Sequence, residues 1–112
     1  MNFDEAAAIV HPIVGADFDA AYKAYQLTNG PRQHTYGHPL DDYTRVSEIF
    51  KAITGHELDA IDCQFMMLSV KLARLYHNIK TARVLHRDSL IDAQGYLNTI
   101  DKTWKAQGGA IE

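Results

Sequence analysis

The sequence predicts an all-α bundle of four main helices, preceded by a short extra helix. Three observations lead there. Apolar residues recur every three or four positions in four separate segments, the spacing that gathers them on one side of a helix. Strand signals are weak, and no segment alternates convincingly between apolar and polar residues. Glycine and proline punctuate the chain at Asn29-Gly30-Pro31, Gly37-His38-Pro39, Gly55 and Gly108-Gly109, where helices stop.

Residues 3–10 form the expected short helix, ended at His11-Pro12 because the residue before proline avoids the α region. Residues 1–15 read as an N-terminal extension to a helical core at 17–106. The first main helix is expected over 17–28, with Asp17 as its cap and Phe18, Ala21, Tyr22 and Tyr25 at helical spacing. The stretch PRQHTYGHPL, 31–40, is rich in residues that break or cap helices and reads as a loop. A helix follows over 41–54, with Asp41 near its cap and an apolar stripe of Tyr43, Val46, Ile49, Phe50 and Ile53.

The segment 57–77 is the most apolar. At about 100° per residue, Leu58, Ile61, Phe65, Leu68, Leu72 and Leu75 form its strongest face. Met66, Met67, Val70 and Ala73 lie elsewhere around it. A helix that is apolar on most sides has neighbours on two sides or joins a subunit interface, so a homodimer or larger assembly is expected. Residues 78–87 connect to a last helix over 88–106, capped by Asp88 or Ser89. Leu90, Ala93, Leu97, Ile100 and Trp104 share one side of it and are expected to face the core.

A chain of 112 residues is sized for one domain with one core. Its single cysteine, Cys63, rules out an intrachain disulfide and fits a reducing compartment; on an apolar helix it reads as core filler. The start, MNFDEAAAIV, carries acids where a secretory leader needs bases. No apolar stretch approaches the roughly 18 residues of a membrane span. A cytosolic protein is expected. Of the 11 basic residues, five (Lys71, Arg74, Lys80, Arg83, Arg87) fall within 71–87, where there is no acid; the other six stand against 14 acids. Such a segment suits phosphate groups or a solvated helix end, while the overall acidity speaks against nucleic acid.

The stretch HRDSLIDAQGYL raises a sharper question. Asp88, Asp92, Gly95 and Thr99 share the face opposite the expected core stripe. Like charges at i and i+4 cost a few tenths of a kcal/mol, and a mid-helix glycine costs about 1 kcal/mol relative to alanine. Close approach of another backbone at Gly95, with the acids meeting a cation or a basic partner, would supply a reason. A second acidic pair, Asp59 and Asp62, opens the central helix. Four carboxylates from two helices suit Mg²⁺, which takes oxygen ligands; acids stabilising helix dipoles are the alternative. Lys71 lies about 180° from Asp62, so a longer ligand would span them, its phosphate on Lys71 and Arg74. Arg32 can clamp a phosphate. Tyr36 can stack on a base, with His38 and Tyr96 as further ligand contacts; otherwise Tyr36 anchors a loop over the end of the bundle.

The blocks R-x-x-T-Y-G-H-P at 32–39, D-x-x-x-x-M-x-x-x-K-x-A-R at 62–74 and D-S-L-I-D-x-x-G-Y at 88–96 resemble a small bacteriophage-encoded family filed as a domain of unknown function. The resemblance covers residues 17–101. That family is in turn distantly similar to the MazG-like all-α nucleoside triphosphate pyrophosphatases, which hold Mg²⁺ on acids from two helices and cleave between the α- and β-phosphates. This implies a nucleotide ligand and Mg²⁺ on Asp59, Asp62, Asp88 and Asp92. Asp62 and Asp92 would be catalytic, and Arg32, Lys71 and Arg74 would stabilise phosphate charge. Those enzymes favour Glu-rich clusters with E-x-x-D spacing, whereas all four positions here are Asp and the later pair is i,i+4. The alternative expectation is a non-enzymatic phage protein that binds a host replication, division or defence component.

Overall fold

The helices that start at Pro39 and Ala60 each begin where a side chain answers an unpaired backbone N–H group. The structure, a computed structural model, describes residues 16–112 together with Asn2, Asp4 and Glu5. The expected helix over 3–10 lies, apart from Asp4 and Glu5, outside the described residues, as do the His11-Pro12 step and the Phe18 side chain. Five helices follow: α1 Ala16–Asn29, α2 Pro31–Tyr36, α3 Pro39–Thr54, α4 Ala60–Ala82 and α5 Arg87–Ala106. No strand occurs among the described residues, and the all-α class stands.

The region 31–40 corrects the expected loop. Pro31 and Pro39 each occupy the first turn of a helix, where the fixed φ suits and the missing N–H is no loss. α2 is therefore a six-residue helix rather than loop. His38, not Asp41, caps α3: its Nδ1 accepts from the Leu40 N–H at 3.1 Å. Gly55 ends α3 in the left-handed region, φ +76°, which glycine enters at no steric cost.

Asp59 caps α4 in a reciprocal box. The Asp62 N–H donates to Asp59 Oδ1 at 2.8 Å, and the Asp59 N–H donates to Asp62 Oδ2 at 3.1 Å. The helix runs past the expected end at 77 to Ala82, where Arg83 turns it off at φ +55°. α1 begins at Ala16, so Asp17 lies inside it, and α5 is capped by His86 rather than by Asp88 or Ser89. The His86 ring instead bonds the Ser89 hydroxyl at 2.6 Å.

α4 and α5 pack as an antiparallel hairpin, their register set by two cross-links. Gln64 Nε2 donates to Thr103 Oγ1 at 2.8 Å, and Lys71 Nζ meets Asp92 Oδ2 at 3.0 Å. α1 lies against α5 through Ala20, Ala24 and Ile91, flanked by Leu27 and Leu90. α3 packs on α4 and touches α5. The largest fully buried side chains are Gln64, Thr103, Cys63 and Ser89, so the tightest part of this interior is largely polar; the Thr103 hydroxyl is paired with Gln64 Nε2, whereas Gln64 Oε1 has no hydrogen-bond partner among the described residues.

This corrects the expected core faces. Of the α4 stripe only Leu68 is buried, and of the α5 stripe only Ala93. Ile49 and Ile53 of α3 are also exposed. Instead α4 buries Ala60, Cys63, Gln64 and Leu68, and α5 buries Ser89, Ile91, Ala93, Gly95 and Thr103. Small side chains let the helix axes approach, and the large apolar ones are left on the outside. No helix among the described residues is long and apolar enough to cross a membrane.

Candidate functional site

The side of α5 expected to face away from the core lines a cavity. Ile91, Asp92, Gly95, Tyr96 and Thr99 form one wall of a space of about 330 Å³. Leu27 and Thr28 at the end of α1 form the second wall. Arg32, Gln33 and Tyr36 of α2 stand along its rim, Pro39, Asp42 and Tyr43 bring the start of α3 to it, and Lys71 reaches it from α4. The volume falls at the lower end of small-ligand pockets. A second, wider depression adjoins it along α1 and α5, lined by Lys23, Gln26 and Asp88 and sharing Leu27, Arg32, Ile91 and Asp92 with the first. Arg32 and Asp92 thus stand where the two meet.

Gly95 has a local reason. A Cβ built there would stand 3.6 Å from the Thr28 methyl, an ordinary contact rather than a clash. The missing side chain leaves room in the cavity, which Gly95 lines. The close backbone approach expected at Gly95 is not found: its neighbour there is the Thr28 side chain, at ordinary contact distance.

Two ties hold α2 across the rim. Lys102 Nζ donates to the Thr28 carbonyl at 2.8 Å and to Gln33 Oε1. Burial lowers the Lys102 pKa, since taking an ammonium out of water favours its neutral form. At the other end Arg45 Nη2 donates to the Tyr36 carbonyl at 2.8 Å. Arg32, between the ties, makes no hydrogen bond or ion pair among the described residues and faces both spaces. Tyr43 stands beside Tyr96 and Asp42. Burial first, then Tyr96 and Asp42, push its phenol pKa well above the ordinary 10.0, so it is a neutral hydroxyl at any physiological pH.

The predicted site residues divide into two groups. Asp92, Lys71, Arg32, Tyr36 and Tyr96 come together at the main cavity, and Asp88 joins Asp92 and Arg32 in the second depression. Asp59 and Asp62 do not. They are committed to each other's backbone at the start of α4. Because Lys71 turns toward Asp92, Asp62 is carried to the opposite side of the same helix. Among the described residues no three His, Cys, Asp or Glu side chains gather as a metal would require, so the four-carboxylate cage is not assembled. Arg74 is exposed and lines neither space, and His38 is spent on its cap. Cys63 is buried, its thiol pKa raised by burial and then by Asp62 and Asp59, which keeps it protonated and inert.

Sequence reasoning passed over Tyr43, Gln33 and Lys102. Tyr43 belongs to the expected apolar stripe of α3, and its hydroxyl is the signal that sets it apart from the other stripe residues. Lys102 gave none: only the fold shows that it is enclosed.

One protein family and one curated relative match. The model of the family described as Domain of unknown function (DUF6378) matches residues 20–103. The Gene 55 protein of Mycobacterium phage D29 is 28% identical over 83 residues, which are 74% of this chain and 52% of that protein. The chain thus spans about half the length of this relative. No solved structure matches. The family match covers the helices that build the cavity, and on it the chain belongs to the DUF6378 family, a phage-encoded family of unknown function.

Proposed function

We propose that the cavity and its adjoining depression bind a nucleotide or nucleotide-like phosphate ligand. The observation that carries this reading is the Arg32 guanidinium, without a hydrogen-bond or ion-pair partner among the described residues, at the junction of the two spaces. A guanidinium without an internal partner is a ready clamp for a phosphate. Tyr36, Tyr43 and Tyr96 offer aromatic faces and hydroxyls for a base or sugar beside it. Lys71 adds positive charge, held in place by Asp92.

The donor set also bears on magnesium. Mg²⁺ is commonly held by one or two carboxylates, with substrate phosphates and water completing its shell. Asp88 and Asp92 on one edge of the depression suit that mode; an all-protein cage with Asp59 and Asp62 does not. A magnesium ion held there would offset phosphate charge and lower the pKa of bound water. For the pyrophosphohydrolase activity that the MazG-like resemblance implies, Asp88 is the carboxylate left to act as a base. Asp92 is engaged by Lys71, and Asp62 by the Asp59 backbone.

Titration calorimetry with nucleoside mono-, di- and triphosphates, with and without Mg²⁺, tests the reading. Binding by the wild-type chain is expected to weaken tenfold or more in Arg32→Ala, about the loss of one charged hydrogen-bonded contact. An absence of heat across the whole panel sinks the proposal. Magnesium dependence that disappears in Asp88→Asn places the ion in the depression; dependence that survives places it elsewhere. The alternative, docking of a host protein, would draw on the exposed apolar side chains of α4 and α5.

A further inference from the structure

We infer that two copies of this chain pair through the outer face of the α4–α5 hairpin. On α4, Ile61, Phe65, Leu68, Leu72, Leu75 and Ile79 follow alternating steps of four and three residues. On α5, Ala93, Leu97, Ile100 and Trp104 do the same. This is the seam by which helices pack against partner helices. Leu68 and Ala93 are buried within the chain, but much of the rest of the seam is not covered: Phe65 is 52% exposed, Leu72 50%, Ile79 43%, Leu97 53% and Trp104 43%.

Both stripes lie on the same side of the hairpin. Lys71 and Asp92 mark where the helices meet. From Lys71 the α4 stripe lies about 80° onward, and from Asp92 the α5 stripe lies about 120° onward, each in its own chain's rotational sense. Equal senses about antiparallel axes carry the stripes to the same side. Gly95 and Thr99, which line the cavity, lie in the reverse sense from Asp92. The apolar face therefore looks away from the cavity, and pairing through it leaves both cavities open.

A second copy fits this face for three reasons. The stripes carry no charged residue, so the face can meet itself about a two-fold axis without opposing like charges. Two hairpins laid face to face complete a four-helix layer at ordinary helix-packing distances. The half-exposed Phe65, Leu72, Ile79, Leu97 and Trp104 present roughly 450 Å² per copy, over half of the roughly 800 Å² per partner of a stable interface. Flanking positions such as Asp62, Ser69, Gln94 and Asp101 supply a polar rim.

Sedimentation equilibrium on the full chain tests the inference. The wild type is expected at the mass of two chains, and Leu72→Glu at the mass of one with unchanged helical circular dichroism. Its dissociation constant should rise roughly thirtyfold or more, as when a central interface side chain is lost. Ile53→Glu, on the exposed face of α3, should remain paired. A single-chain wild type at every concentration overturns the inference, even if the face then captures a host protein. Pairing that survives Leu72→Glu but fails in Ile53→Glu also overturns it. Should Leu72→Glu not fold, the wild-type unfolding midpoint decides: it rises with protein concentration for a paired chain and stays fixed for a single one.

Discussion

The two sides of the α4–α5 hairpin are built on opposite principles. The inner side carries Gln64, Lys71, Asp92 and Thr103, polar groups that pair with one another. The outer side carries Phe65, Leu72, Leu97 and Trp104, half exposed and without polar partners along the stripe apart from the Trp104 indole. A helical periodicity of apolar residues shows that a face will be covered; it does not show by what. Here the chain's own interior uses small and polar residues, and the strongest apolar seams face outward.

Substitutions on the inner side should cost most where the pair is most enclosed. Gln64→Leu strands the fully buried Thr103 hydroxyl, and a loss of about 1–3 kcal/mol is expected in denaturant unfolding. Adding Thr103→Val should recover most of it, because no polar group is then left alone. If the double variant is no better than the single one, the Gln64–Thr103 bond is not what orders this layer.

A smaller effect is expected at the ion pair, whose partners keep 16% and 31% of their side-chain exposure. Asp92→Asn should lower stability by about 1 kcal/mol, since water relieves part of the stranded Lys71 charge. Unchanged or raised stability would mean that Asp92 is held free for a ligand rather than spent on Lys71.

The smallest effect concerns pH. The Tyr43 phenol has a folded-state pKa above its unfolded value of 10.0. Its contribution is fully present below pH 10 and is lost as pH rises toward the folded value, because the native state then holds the extra proton. Tyr43→Phe should flatten the alkaline fall in melting temperature above pH 10. An identical fall in both proteins would show that Tyr43 is not enclosed.

The four main helices and the all-α class were legible because periodicity and glycine-proline punctuation are local. So was half of the candidate site. Asp88, Asp92 and Gly95 share a face by helix geometry alone, and that face does border the cavity. Which face of α5 turned inward was not legible, since Leu90 and Leu97 outweigh Ser89 and Thr103 on any hydrophobic count. The expected meeting of Asp62 with Asp92 failed for a related reason. Whether two helices present matching sides depends on their relative rotation, which the Lys71–Asp92 contact sets and no single-helix pattern encodes. Pro31 and Pro39 were read as breakers, although proline starts helices as readily as it stops them.

The chain's lone tryptophan stands on the outward seam, where its indole nitrogen holds the Ala110 carbonyl at 2.8 Å and Gly109 lies against its ring. An optical reporter is thus built into the surface whose covering is in question. Its ultraviolet emission is sensitive to water at that one location, so dilution alone can follow the burial of the face without dye, tag or sequence change.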